Sequence, residues 1–406
     1  MPELAEVSRI VHYLKKHAVG RTIEAVKAQE DDIIFGKVGT SASAIKNSLT
    51  GKKILDARQQ GKYFWLVMES APHPLMHFGM AGWMKFSNDD NAHYRPPKPE
   101  QAEWPPRFWK FVLQLKGEPK CEVAFVDARR LARVRLVDAE ADQMRKTSPL
   151  KENGPDPVLD KDILTAEWLG KKMRGKKVPV KAFLLNQASV AGLGNWLVDE
   201  IMYQARLHPE QYSNTFSDEQ IERLHKTIMY VCDTAVEVLA DSDRFPEDWL
   251  MKHRWGKGKK EAQKLPNGEK ITFLKVGGRT SAIVPSVQKK TAAVAGDVSE
   301  GAEDDEEAKP KRGGKRKTKT AKEEEDEDDE VEVKTSAKPK RGKKKADEEV
   351  KKEAEDVDEG ESLPATKKQK TATNGAVKKS KKTKTEAVQV KSEDTTVRRR
   401  SGRLTK

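Results

Sequence analysis

The first seven residues, Met1-Pro2-Glu3-Leu4-Ala5-Glu6-Val7, set a proline beside carboxylic acids at the start of the chain. If Met1 is removed, which the small Pro2 permits, the chain begins with a secondary amine next to Glu3, with Glu6 one turn further on. A free terminal amine titrates near pH ~8. The electropositive start of a helix disfavours its ammonium form and leaves more neutral nitrogen to attack carbon. Amines that attack sugar or carbonyl carbons form Schiff bases, which split one hard step into two easier ones. The same residues also make an ordinary helix start, with proline at the first position and carboxylates in the first turn.

Other residues could serve such chemistry. Lys62 follows Gly61 at the mouth of an apolar run, where a lysine can reach a phosphate, move protons, or simply guard a sheet edge. In Gly192-Leu193-Gly194-Asn195 the glycines permit a tight turn between two helical segments. The amides opening the second segment would face outward as a phosphate site capped by Asn195, unless the pair is a plain helical hairpin. Arg279 follows Gly277-Gly278 at a hairpin tip that could enter a groove, touch a phosphate, or stay solvated. Met80, within His77-Phe78-Gly79-Met80-Ala81-Gly82, and Leu131, within Asp127-Ala128-Arg129-Arg130-Leu131, are either core residues or projecting wedges. Wedges of that kind fill the stack that an extruded nucleotide leaves behind.

The elements that must position these residues are legible in outline. Leu4, Val7, Ile10, Val11 and Leu14 mark an amphipathic helix that Gly20 stops. Strand-like segments follow at 21–28, 53–58, 63–68, 73–86, 108–115 and 122–137, a spacing suited to a β-sandwich or barrel, with a proline-rich loop at 95–106. Helical signals take over at 165–174, 179–189, 195–207 and 217–239, where Ser217 and Gln220 resemble a capping box. Turn residues Pro266-Asn267-Gly268 and paired strands at 271–276 and 280–284 close the series. The expected organisation is a sandwich over 1–140, a linker over 141–160, a helical module over 161–245, a finger over 246–290 and a tail over 291–406.

Net charge is +13 and the isoelectric point about 9.3, which favours a polyanionic partner. No apolar run reaches the roughly 18 residues of a spanning helix, so no membrane partner is expected. The two cysteines, Cys121 and Cys232, cannot build a four-thiolate zinc site. The last aromatic residue is Phe273, and beyond 290 the chain runs in blocks of Lys, Glu, Asp, Ala, Thr and Ser, the composition of a disordered tail. Lys309-Pro310-Lys311-Arg312 and Lys338-Pro339-Lys340-Arg341 suggest a nuclear protein whose tail binds import factors or chromatin.

Taken together and in order over residues 1–289, these motifs resemble the formamidopyrimidine-DNA glycosylase family, the bifunctional repair enzymes related to endonuclease VIII. The resemblance implies an α+β multidomain protein: an N-terminal β-sandwich with a catalytic N-terminal helix, and a C-terminal helix-two-turn-helix module with a hairpin finger. It implies damaged double-stranded DNA as partner, a monomer, and no cofactor or metal. Pro2 would be the Schiff-base nucleophile, Glu3 the acid/base for sugar opening, Glu6 a supporting carboxylate, and Lys62 a phosphate ligand that assists elimination. His77, Asn195 and Arg279 would hold phosphates, Met80, Arg129 and Leu131 would fill the gap, and Lys177 would contact DNA. Residues 245–289 contain no cysteine, which resembles the zincless finger of plant and fungal relatives. The short segment Ala240-Asp241-Ser242-Asp243-Arg244 replaces a longer bacterial loop, which points to formamidopyrimidines and hydantoins ahead of 8-oxoguanine. The competing expectation is a non-catalytic damaged-DNA or chromatin-binding protein, which would have no need of a terminal secondary amine.

Overall fold

Helix α1 (Leu4–His17) buries the stripe expected of it, but divides it between two cores. Leu4 and Ala5 pack among the helices of the C-terminal half, whereas Val7, Ile10, Val11 and Leu14 pack into the N-terminal sandwich. One helix therefore couples both halves. Its cap is Glu3, whose N–H donates to the Glu6 carboxylate at 2.9 Å, so Pro2 precedes the helix rather than opening it. The computed structural model describes residues 2–93, 103–255, 257 and 263–291, all within one compact unit. The expected tail, apart from Thr291, and most of the loop at 95–106 lie outside the described residues.

The sandwich is built from β1 (Ile23–Ala28), helix α2 (Ala42–Leu49), β2 (Ile54–Gln60), β3 (Tyr63–Met68), β4 (His73–His77), β5 (Trp83–Phe86), β6 (Trp109–Leu115), β7 (Cys121–Val126) and β8 (Arg133–Val137). Two antiparallel four-stranded sheets result, ordered β1-β6-β7-β5 and β2-β3-β4-β8. The segments 73–86 and 122–137, each read as one continuous run, are split in the structure. Each breaks at a short loop, 78–82 with two glycines and 127–132 braced by Asp127, and resumes in the other sheet, because a tight turn is what carries a strand across a sandwich. Helix α2 has no counterpart in the sequence reading; it is short and is set by Ser41, whose side chain accepts the Ala44 N–H. Strand β3 is apolar throughout because both faces are covered. Phe64, Leu66 and Met68 face the sandwich core, and Trp65 and Val67 meet Met144 and Leu150 from the segment read as a linker.

The C-terminal half comprises α3 (Ala166–Arg174), α4 (Val180–Leu185), α5 (Asn195–Gln204), α6 (Asp218–Glu237), α7 (Leu250–His253) and a hairpin of β9 (Thr272–Val276) with β10 (Arg279–Ile283). The Ser217–Gln220 capping box forms at the start of α6. Helix α5 is buried from Trp196 to Met202, as the central helix of a bundle must be. Each large aliphatic side chain buried there stabilises the module by roughly 1.5–3 kcal/mol.

Candidate active site at the junction of the first and fifth helices

Three glycines let three backbones meet. Gly61 and Lys62 form the β2–β3 turn, Gly192 and Gly194 form the α4–α5 turn, and α1 starts between them. A Cβ on Gly61, whose φ is +56°, would lie 2.8 Å from the Gly192 nitrogen. One on Gly192, at φ +88°, would lie 2.9 Å from Leu4 Cδ1, and one on Gly194 would collide with the Glu3 carboxyl group. Only glycine fits such approaches. The junction is then tied by backbone: the Leu4 N–H donates to the Gly192 carbonyl at 3.1 Å, and the Gly61 N–H to the buried Asp156 carboxylate at 2.7 Å.

Glu3 is 2 % exposed, and its carboxylate caps α5: Trp196 N–H donates to Oε1 at 3.0 Å and Leu197 N–H to Oε2 at 3.1 Å. The sequence reading left those amides facing outward for a phosphate; they hold the Glu3 carboxylate instead, because α1 delivers an anion to that helix end. Nor is Asn195 the cap. Gly194 occupies that position, and the Asn195 Nδ2 donates to the Thr280 carbonyl at 3.0 Å.

Burial raises the pKa of Glu3, opposed by the positive charge of Lys62 and by the two α5 amides. Burial and the neighbouring Glu3 charge push Glu6 up to about 7, while Trp196 Nε1 donates to its Oε1 at 3.1 Å. Burial pushes Lys62 down, the charge of Glu3 raises it, and Arg279 pushes it down further. The cluster thus pairs a carboxyl group that resists ionisation with an amine that resists protonation, beside the buried Pro2. Groups shifted toward neutrality in this way can exchange protons near pH 7.

His77 ends β4 against Tyr63, with ring centroids 4.8 Å apart, and its Nδ1 accepts the Gly79 N–H at 3.0 Å. Burial, then Lys62, Arg135 and Arg133, push it down to about 4, so its Nε2 is a neutral donor at pH 7. Beyond it, the loop carrying Met80 is pressed onto the backbone of Leu131, where Gly79 has no room for a Cβ. Asp127 braces that second loop by accepting the Arg129 N–H at 2.9 Å and the Ala132 N–H at 2.8 Å. Arg129 and Leu131 are exposed on it, Leu131 by 39 %. Phe108, which the sequence reading passed over, is also exposed beside this loop, and its carbonyl accepts the Asp127 N–H at 3.1 Å.

The structure therefore brings together Pro2, Glu3, Glu6, Lys62, Asn195 and the charge of Arg279, with His77, Met80, Arg129 and Leu131 on the adjoining sandwich edge. Lys177 is held differently: it is exposed before α4, with its ammonium 5.7 Å from the Tyr212 ring centroid. Trp196, Asp156, Lys181 and Asp199 escaped the sequence reading. The signal for the last two was a charge set inside apolar helical runs, Val180-Lys181-Ala182-Phe183 and Val198-Asp199-Glu200-Ile201. Among the described residues no group of three or more His, Cys, Asp or Glu is placed to hold a metal ion, and no helix is long and apolar enough to cross a membrane.

Comparison with known proteins decides the family. Residues 1–134 match the formamidopyrimidine-DNA glycosylase N-terminal domain, and residues 154–246 match the helix-two-turn-helix domain of the same enzymes. The formamidopyrimidine-DNA glycosylase of Arabidopsis thaliana is 38 % identical over 290 residues, 71 % of either chain. The chain belongs to the formamidopyrimidine-DNA glycosylase family. It is a base excision repair DNA glycosylase, in a family whose members also act as AP lyases. The enzyme of the same name from Pelotomaculum thermopropionicum is 28 % identical over 71 % of this chain and 99 % of its own. Among solved structures, the Lactococcus lactis glycosylase non-covalently bound to DNA containing an AP site superposes with a TM-score of 0.57 and 26 % identity, covering 71 % of this chain and all of its own. MutM in complex with DNA carrying carbocyclic 8-oxoguanine matches with the same TM-score at 25 % identity.

Proposed function

We propose that this glycosylase excises formamidopyrimidines and hydantoins through an imine at Pro2 and then cleaves the strand. The observation that carries the reading is the placement of Glu3, a buried carboxyl group held by α5 amides directly beside Pro2. The damaged nucleotide leaves the duplex, at a cost of a few kcal/mol that is lower for a lesion. The Pro2 nitrogen bonds to C1′ as the glycosidic bond breaks, and the base departs with the electron pair and takes a proton. Glu3, its carboxyl group disposed toward the protonated form, supplies a proton as the sugar ring opens, leaving an iminium at Pro2. Loss of the 2′ proton expels the 3′ phosphate, by β-elimination alone or followed by a δ-elimination that removes the 5′ phosphate. Lys62, disposed toward the neutral amine, serves these proton transfers. His77, Asn195 and Arg279 hold phosphates, Lys177 adds a contact outside the cluster, and Met80, Arg129 and Leu131 fill the gap in the stack.

The enzyme works as a monomer on double-stranded DNA and in the nucleus, the nuclear part of this reading being supported by the basic clusters at 309–317 and 338–345. The short 240–244 segment, where Leu239 and Ala240 turn the chain at φ +54° and +56°, favours lesions other than 8-oxoguanine. A panel of duplexes carrying formamidopyrimidine, hydantoin, 8-oxoguanine or an abasic site, assayed under single-turnover conditions, tests this. Formamidopyrimidine and hydantoin should be cut at least about tenfold faster than 8-oxoguanine, a difference of about 1.4 kcal/mol in barrier. Equal rates would refute the lesion preference, and absence of cutting on every substrate would refute the enzyme.

A further inference from the structure

The β9–β10 hairpin has one strand edge paired internally and one left open. Arg279 pairs with Val276 and Ser281 with Leu274 across the two-residue Gly277-Gly278 turn, so Thr280 and Ala282 turn their backbone groups away from β9. Helix α5 supplies what a neighbouring strand would have supplied. Asn195 and Asp199, one turn apart on the same helix face, reach these groups: Asn195 Nδ2 donates to the Thr280 carbonyl at 3.0 Å, and the Ala282 N–H donates to Asp199 Oδ2 at 3.0 Å. The tip is fixed as well, since a Cβ on Gly277 would stand only 3.0 Å from the Ala182 Cβ.

Asp199 is itself held by two cations. Lys181 Nζ donates to Oδ1 at 2.6 Å and Arg254 to Oδ2 at 2.7 Å, and all three residues are buried. Lys181 donates to the Thr280 carbonyl too, at 3.2 Å. A buried ion triad of this kind adds little to stability over an apolar replacement, but it demands one geometry. Four chain segments, α4, α5, the residue after α7, and β10, converge on this one carboxylate. The stretch 245–289 that contains the hairpin has no cysteine, so no thiolate could do the same work through a metal.

We propose that Asp199 is the positioning residue of the finger: it sets the depth and direction of β10 and thereby aims Arg279, the first residue of that strand, at a DNA phosphate. The inference rests on the reading that Arg279 contacts the DNA backbone. Asp199 has no part in the chemistry at Pro2. It acts only through Arg279, and the two residues must therefore lose function together rather than independently.

The test is a double-mutant cycle on the full chain, reading the Kd for a duplex with a tetrahydrofuran abasic-site analogue across a salt series. Arg279→Ala and Asp199→Asn should each weaken binding by about tenfold or more, and each should lower the slope of log Kd against log salt by about one phosphate contact. The double variant should bind within about twofold of Arg279→Ala alone. If Asp199→Asn leaves affinity and slope unchanged, or the losses multiply in the double variant, the anchoring role is overturned while the phosphate contact of Arg279 stands. If Arg279→Ala is silent, the phosphate reading fails first and takes this proposal with it. Should Asp199→Asn fail to give a folded circular-dichroism spectrum, Arg254→Met, which keeps the Lys181–Asp199 pair, runs the same cycle with the same criteria.

Discussion

Two of the carboxylates buried around α5, Glu3 and Asp199, are compensated in opposite ways. Glu3 meets the first turn of the helix and receives two amide hydrogen bonds, with Lys62 felt only through its charge. Asp199, one turn further on, is gripped by two cations and an amide at 2.6–3.0 Å. Dipoles hold an anion without fully offsetting its burial, so Glu3 keeps a raised pKa and can still trade its proton. Whole charges in direct contact instead fix the Asp199 carboxylate in one geometry. One helix thus receives at its N-terminus the acid proposed to react and carries within its body the acid proposed to anchor the finger.

Substitutions at the two positions should separate those roles. Glu3→Gln should slow single-turnover excision by about 10²–10⁴-fold while changing stability by no more than about 1–2 kcal/mol. A loss under tenfold would erase the distinction. Asp199→Asn should do the reverse, lowering stability in urea titration by about 3–5 kcal/mol because two buried cations lose their anion. Its excision rate at saturating enzyme should fall far less than that of Glu3→Gln.

A pH series sharpens the contrast. The folded state holds His77 down to about 4 against an ordinary value of 6.5, so between those limits the unfolded chain binds more protons. The stability it contributes is present above 6.5 and lost as pH falls toward 4, a change of at most about 3 kcal/mol. The stability difference between the wild type and His77→Gln should therefore shrink on acidification through that window, and a flat difference would contradict the assignment. Smallest is Gly194→Ala: a methyl forced against the Glu3 carboxyl group should cost about 1–3 kcal/mol in stability. It should also impair excision, whereas Gly20→Ala, where a Cβ meets nothing within 4 Å and the strain is confined to a backbone φ of +86°, should leave excision intact.

The sequence singled out more of the candidate residues than of what supports them. Pro2, Glu3 and Lys62 stood out as candidates because each is a group able to do chemistry beside the chain start or a glycine turn, and the helix stripe and the Ser217 cap were legible because periodicity and capping are local. What escaped depended on long-range approach. That the α5 amides face Glu3 rather than a phosphate follows from Gly194 lying against a residue 191 positions earlier in the chain, as the numbering of the two residues shows. No window of sequence reports such a contact. The continuous runs at 73–86 and 122–137 hid their sheet changes for a similar reason, because the sheet each segment joins is set by a pairing partner elsewhere in the chain. Asp199 was visible as a charge in an apolar helix, but its two partners come from residues 181 and 254, and only the fold brings them to it.

The proposed catalysis turns on a bond between the nitrogen of Pro2 and the deoxyribose. Borohydride reduction during reaction with an abasic-site duplex, followed by nuclease and protease digestion and peptide mass spectrometry, locates that bond directly. The sugar remnant should lie on a peptide that begins at Pro2, with none formed when the amine is blocked by retained Met1 or an N-terminal tag. A remnant on Lys62 or any other lysine, with the Pro2 peptide unmodified, would contradict the proposal.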